Sequence, residues 1–186
     1  MICLELYTER LILRPWKITD AEDLYGFASD PQIGPVAGWP PHTSVENSRE
    51  IIETVLMDEL TFAIALKDAP DKAIGSIGIM TNEQGQRHSF MGFHDAEIGY
   101  WLAADYWGQG IVPEAVAEIL RYGFEDLDIP VMWCGYYEGN EKSKRVQEKA
   151  GFVYERKEKV DVPLLQEQRI EHFTRLTRET WEQDKK

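Results

Sequence analysis

Two glycines bracket one glutamine in the run Tyr106-Trp107-Gly108-Gln109-Gly110-Ile111-Val112-Pro113-Glu114-Ala115. The run follows a strand-like segment and opens a helix-like one. Glycine at such a turn lets backbone come close to a ligand. The first amides of a helix have no intrahelical acceptor, and the helix dipole adds partial positive charge. Together they make a site for an anion. The alternative is a tight strand-to-helix turn that binds nothing. A P-loop is disfavoured, because no Lys-Ser or Lys-Thr follows Gly110. A dinucleotide fingerprint fails as well: it needs a third glycine, and Pro113 stands at that position.

A second candidate is a carboxylate. Residues 96–102 alternate, with Ala96, Ile98, Tyr100 and Leu102 on one face and Glu97, Gly99 and Trp101 on the other. Partial burial beside Gly99 and Trp101 is expected to raise the pKa of Glu97 and suit it to accept a proton. The competing reading is a glutamate paired with an arginine or facing solvent at the strand end. The third group lies on the segment 140–150. Asn140 is placed to cap it. Lys142, Arg145 and Lys149 share one side, where they meet either water or a phosphate. Ser143 falls on the side of Val146 and Ala150, so its hydroxyl points inward, either to a carbonyl or to a cleft. His94-Asp95 offers a second base and Tyr136 or Tyr137 a second acid; a loop residue and core packing are the plainer readings. His42, His88, His94 and His172 form no ligand spacing with each other or with Cys3 and Cys134, so no metal is expected.

The elements that position these groups follow from periodicity and breakers. Leu11–Leu13 reads as a first strand. Thr19-Asp20 caps a helix through Leu24 and Phe27, and Thr43-Ser44 opens another with Ile51, Ile52, Val55 and Leu56 inward. Between them, residues 30–43 hold four prolines and two glycines and read as a loop anchored by Val36 and Trp39. Segments 62–66, 73–80 and 96–102 are strands, with a long polar connection over 82–95. Pro113–Leu127 is the clearest helix, with Val116, Ile119, Leu120, Gly123 and Leu127 on one face. Val131–Tyr137 is a strand, and Glu141–Ala150 is a helix closed by Gly151. Segments 152–162 and 169–181 form a final strand pair, followed by a frayed tail over 182–186. The expected fold is α/β (α+β): a single domain over 1–186, with a mixed sheet of about seven strands and about four helices.

Composition narrows the function. With 186 residues, 43% of them hydrophobic, the chain has ample material for a core. The net charge of −13 argues against a nucleic-acid surface, whose affinity comes from Lys and Arg. It is compatible with a cationic partner such as an amine. Two distant cysteines, no apolar run near the roughly 20 residues of a membrane span, and an acidic start without a basic leader suggest a cytoplasmic protein.

The chain resembles the GCN5-related N-acetyltransferases (GNAT), in particular their ribosomal-protein alanine acetyltransferase-like (RimJ/RimL-like) branch. Trp107 to Val112 match that family's Arg/Gln-x-x-Gly-x-Gly/Ala loop, with Trp107 as in this branch and Val112 in place of the final small residue. Thr8–Arg14 looks like its opening strand and Ala96–Leu102 like its central one. Asn140, Ser143 and Lys149-Ala150-Gly151-Phe152 look like its Asn-x-x-Ser and Lys-x-Gly-Phe elements, and Leu176–Trp181 like its ending.

The resemblance implies a sheet splayed in the middle and transfer of an acetyl group from acetyl-CoA to a primary amine, most simply a protein or peptide N-terminal α-amine. A small-molecule amine is the alternative acceptor, and a catalytically silent acyl-CoA-binding module the alternative role. It also implies that Trp107, Gly108, Gln109, Gly110, Ile111 and Val112 hold the pyrophosphate. The backbone of Tyr100, Trp101 and Leu102 would bind the pantetheine arm. Asn140, Ser143, Arg145 and Lys149 would complete the cofactor contacts, with Ser143 assisting the departing thiolate. Trp39 and Glu97 would face the acceptor. An exposed edge strand would support a homodimer.

Overall fold

The computed structural model describes residues 4–82 and 87–185. Met1 to Cys3 of the expected acidic start lie outside the described residues, as do positions 83–86 of the expected connection and Lys186 of the tail. Among the described residues, eight strands belong to a mixed sheet, and the chain divides into two compact units.

The first unit takes the chain up to Gly78, together with Tyr100–Glu118 and Val162–Gln166. Its strands are β1 (Leu6–Tyr7), β2 (Leu11–Pro15), β3 (Thr61–Leu66) and the beginning of β4 (Gly75–Thr81), each antiparallel to the next. Leu13 lies opposite Ile64 and Phe62 opposite Ile77, so the buried alternation of one strand continues on its neighbour. Helices α1 (Ala21–Ala28), α2 (Gly34–Ala37) and α3 (Val45–Ile51) precede β3. Trp16, Leu24, Ala28, Ile52, Ala63 and Ala73 form the core of this unit.

Two local expectations change here. Asp20 does not cap α1 with its side chain; the carboxylate is taken by Arg14 and the Lys17 amide instead. The Pro- and Gly-rich loop also contains a helical turn, α2. Pro35 fits there because a first-turn residue needs no N–H acceptor. Ser44 caps α3 as expected, accepting from the Asn47 amide.

The second unit comprises Ile79–Gly99, Ile119–Asp161 and the chain from Glu167 onward. Its strand order is β5 (Ala96–Leu102), β6 (Val131–Tyr137), β8 (Glu167–Thr177) and β7 (Val153–Val162). β5 and β6 are parallel, joined by a crossover that carries α4 (Ile111–Arg121). Their register runs from Ala96↔Met132 to Ile98↔Cys134 and stops before Gly99. β6 is antiparallel to β8 over its whole length. Helix α5 (Glu141–Lys149) ends at Gly151, whose φ of 91° is the left-handed closure expected for it.

The expected last strand ends sooner than the sequence suggested. Thr177 caps a further helix, α6 (Arg178–Asp184), accepting from the Thr180 amide, so Trp181 is helical and the first residues of the expected tail form the last turn. A two-residue β1 and the short α2 and α6 raise the counts to eight strands and six α-helices among the described residues.

Candidate active site

In the first unit, the turn from Trp107 to Gly110 leads directly into α4. Gly108 and Gly110 have φ of 73° and 75°, a region that side chains with a Cβ avoid. Gly108, Gln109 and Gly110 are exposed, and Ile111 is buried as the first anchor of the helix. The Trp107 indole N–H donates to the Leu102 carbonyl at 2.9 Å, tying the turn to the end of β5. Gln109 Nε2 bonds the Asp105 carbonyl at 3.1 Å. Tyr100, Trp101, Leu102 and Trp107 to Val112 are therefore brought together as one continuous feature. Trp39 also lies in this unit. It meets Trp101 edge-on at 5.9 Å, and Trp16 stacks on Trp101 at 6.4 Å.

Sequence reasoning missed the cation at this turn. Arg10 Nη1 donates to the Gln109 carbonyl at 2.9 Å, and Nη2 lies 3.5 Å from where a Cβ on Gly110 would stand. Glu114 in the first turn of α4 holds Arg10 there, accepting from its Nε at 2.7 Å, from its amide at 2.8 Å and from the Thr8 hydroxyl at 2.6 Å. Partial burial works against that charge, but the bonds from Thr8 and Arg10 prevail and hold the carboxyl below its ordinary pKa. The turn thus presents glycine backbone, the start of a helix and a guanidinium, a donor set that fits a pyrophosphate. Arg10 escaped notice because its partners lie about a hundred positions away, at 109 and 114.

In the second unit, Glu97 is 5% exposed. Its Oε2 accepts from Arg87 Nε at 2.8 Å and lies 3.5 Å from His88 Nε2. Burial alone would raise its pKa. The His88 hydrogen bond and the Arg87 charge reverse this and lower it, contrary to the expectation from sequence. The arginine-paired reading describes this carboxylate. Across the sheet, Glu171 is the acid pushed up, to about 7, by burial first and then by the charge of Glu97. No sequence signal marked it, since a glutamate in a charged strand looks like a solvent-facing one.

On α5, Asn140 Oδ1 accepts from the Ser143 amide at 3.1 Å, the expected cap. The side chain that α5 buries is Gln147, 1% exposed, not the apolar stripe expected around Val146. Its Nε2 bonds the Gly135 carbonyl at 2.9 Å and Ser143 Oγ at 3.1 Å, and its Oε1 accepts from the Thr174 hydroxyl at 2.8 Å. Three bonds make the burial of an amide tolerable. Ser143 is therefore positioned by Gln147. Arg145 and Lys149 are exposed on the same helix. Tyr136 stacks on His172 at 5.0 Å, as a packing residue would. Among the described residues, no group of three His, Cys, Asp or Glu side chains is placed to hold a metal ion, and no helix is long and apolar enough to cross a membrane.

Residues 10–153 match the Acetyltransferase (GNAT) domain. The chain belongs to the GNAT family. This GNAT acetyltransferase is 34% identical over 132 residues to the uncharacterized N-acetyltransferase p20 of Bacillus licheniformis, covering 67% of this chain and 68% of that one. Its fold matches that of a GNAT-family acetyltransferase from Bacillus anthracis, with a TM-score of 0.76, 24% identity, and 95% and 99% of the two chains covered. It also matches a ribosomal-protein-S5-alanine acetyltransferase from Vibrio fischeri, with a TM-score of 0.70, 22% identity, and 96% and 98% covered. The GNAT assignment gives acetyl-CoA as the acyl donor and an amine as the acceptor.

Proposed function

We propose that this GNAT acetyltransferase acetylates the N-terminal α-amine of a protein or peptide in the cytoplasm. One observation carries the cofactor side: the exposed Gly108-Gln109-Gly110 turn, both glycines left-handed, with Arg10 against it at the start of α4. The backbone amides following Gly108 and the Arg10 guanidinium hold the pyrophosphate. Acetyl-CoA, once bound, supplies an activated acyl group as a thioester. Tyr100, Trp101 and Leu102 offer strand backbone to its pantetheine arm. The likeness of fold to the Vibrio fischeri S5-alanine enzyme supports the choice of acceptor.

On the acceptor side the chain must bind an ammonium and remove its proton. Glu97 is buried, ionised and held by Arg87, which suits it to orient a cation more than to capture a proton. Trp39, beside Trp101, supplies an aromatic wall on the first unit.

The deciding experiment follows coenzyme A thiol release with a panel of acceptors: peptides with free and blocked N-termini, lysine side chains, polyamines and amino acids. Free N-termini are expected to exceed lysine side chains by tenfold or more in kcat/KM. Equal or better turnover of polyamines would establish the small-molecule alternative. Acetyl-CoA binding without thiol release from any amine would establish the silent binding module.

A further inference from the structure

The second unit carries two acidic side chains on one face of its sheet. Trp133, Gly135 and Tyr137 project from that face of β6. Their partners across the antiparallel register are Arg175, Phe173 and Glu171, and Glu97 is in register with Trp133 on the other side. Gly135 is the gap in this row. A Cβ there would collide with Glu171 Oε1, so the carboxyl group lies in space that only a glycine leaves open. Glu171 thus leans along β6, away from its own partner Tyr137 and toward the β5 side.

The segment from Arg87 to Phe90 lies over the same face: His88 meets Phe173 edge-on at 4.7 Å, and Phe90 packs on Phe173 at 4.9 Å and on Trp133 at 5.4 Å. The charged and titratable groups facing Glu171 are Glu97 from β5, Arg87 and His88 from this segment, Tyr137 from β6 and Arg169 on its own strand. Arg87 and His88 are engaged with Glu97. Two carboxyl groups in one setting are thereby driven apart: one stays ionised, the other keeps affinity for a proton.

We propose that Glu171, positioned by the gap at Gly135, is the general base that takes the proton from the acceptor ammonium, with Glu97 beside it on the same face of the sheet. The inference deepens the acetyltransferase reading and rests on it. One N–H proton passes to a Glu171 carboxylate oxygen, giving a carboxylic acid and a neutral amine. The nitrogen lone pair forms the C–N bond to the acetyl carbon as the C–S bond breaks. A second N–H proton ends on the thiolate of coenzyme A, and Glu171 returns its own proton to water. The match is to an α-amine, with a pKa of about 8: transfer to a group near 7 is uphill by about one unit, against more than three for a lysine ammonium near 10.4.

The experiment is the pH dependence of kcat/KM for wild type, Glu171→Gln, Gly135→Ala and Glu97→Gln, on the best acceptor of the panel. Wild type is expected to show an ionisation near 7. Glu171→Gln is expected to lower kcat by about a hundredfold or more and to erase that ionisation. Gly135→Ala is expected to erase it by displacing the carboxyl group, a flexible side-chain end, without loss of acetyl-CoA affinity. Glu97→Gln is expected to keep the ionisation but move it to lower pH, since the neighbouring negative charge is gone. Denaturation curves of wild type and Glu171→Gln give a readout free of activity. The folded chain favours the neutral acid, so stability is full below 4.5 and lost as pH rises through about 7. The ratio of the two folding constants is expected to change by roughly a hundredfold across that window.

A Glu171→Gln enzyme within threefold of wild type with an unaltered profile, or a flat stability ratio, overturns the inference alone. A wild type that releases no thiol with any amine overturns the proposed function, and this inference with it.

Discussion

Replacing Arg14 with methionine is expected to cost about 3–5 kcal/mol of folding stability. Arg14 and Asp20 are each 2% exposed, and two parallel bonds of 2.8 Å join guanidinium to carboxylate. The remaining donors are used as well: Nε bonds the Pro70 carbonyl at 2.9 Å, and the other nitrogens reach the carbonyls of Pro15 and Asp71 at 3.2 Å. One side chain therefore joins β2, the entry to α1 and the turn before β4. Methionine fills similar volume but leaves the Asp20 charge with the Lys17 amide at 2.8 Å and little else. A domain of this size holds about 5–15 kcal/mol in total, so the loss is a large share. Calorimetry should show a fall in Tm of roughly 6–20 °C. The double variant Arg14→Met, Asp20→Asn should recover most of it, because no buried charge is left without a partner. A single variant melting within 2 °C of wild type would refute the account.

The second large effect concerns the donor. Gly110→Val is expected to weaken acetyl-CoA binding by tenfold to a hundredfold, which corresponds to losing one backbone bond to a charged phosphate at about 1.5–3 kcal/mol. With φ at 75°, a β-branched residue is forced out of the left-handed region, and the amide that follows swings with it. Added methyl groups also meet Arg10, whose Nη2 is already 3.5 Å from the Cβ position. Gly108→Ala has open space around its Cβ, so only the backbone conformation opposes it, and its effect should be smaller. Calorimetric titration with acetyl-CoA measures both. Unchanged affinity in Gly110→Val would remove the turn from the binding site.

The sequence revealed features whose causes are local. The turn at 108–110, the Ser44 and Asn140 caps, the closure at Gly151 and the strand at 131–137 all rest on neighbours within a few positions, and each stands where periodicity and residue type put it. Features that escaped depend on distant partners. Arg10 and Glu114 are 104 positions apart, and Thr174 and Gln147 are 27 apart. Gln147 reads as a surface residue until its three partners are known. The strand pattern singles out Glu97, which is buried as expected, but its protonation is set by Arg87 and His88 on the preceding connection, and this reverses the expected direction. Glu171 was invisible for a related reason: its environment is created by an absent side chain on another strand.

The thiol of Cys134 is 2% exposed and donates to the Ile98 carbonyl at 3.4 Å, just where the parallel register ends. Aromatic disulfide reagents cannot reach it while β5 and β6 remain paired. In a chain whose Cys3 has been changed to serine, colour from such a reagent during turnover reports released coenzyme A. The slow colour that follows in denaturant counts molecules that have opened, giving catalysis and unfolding from a single cuvette.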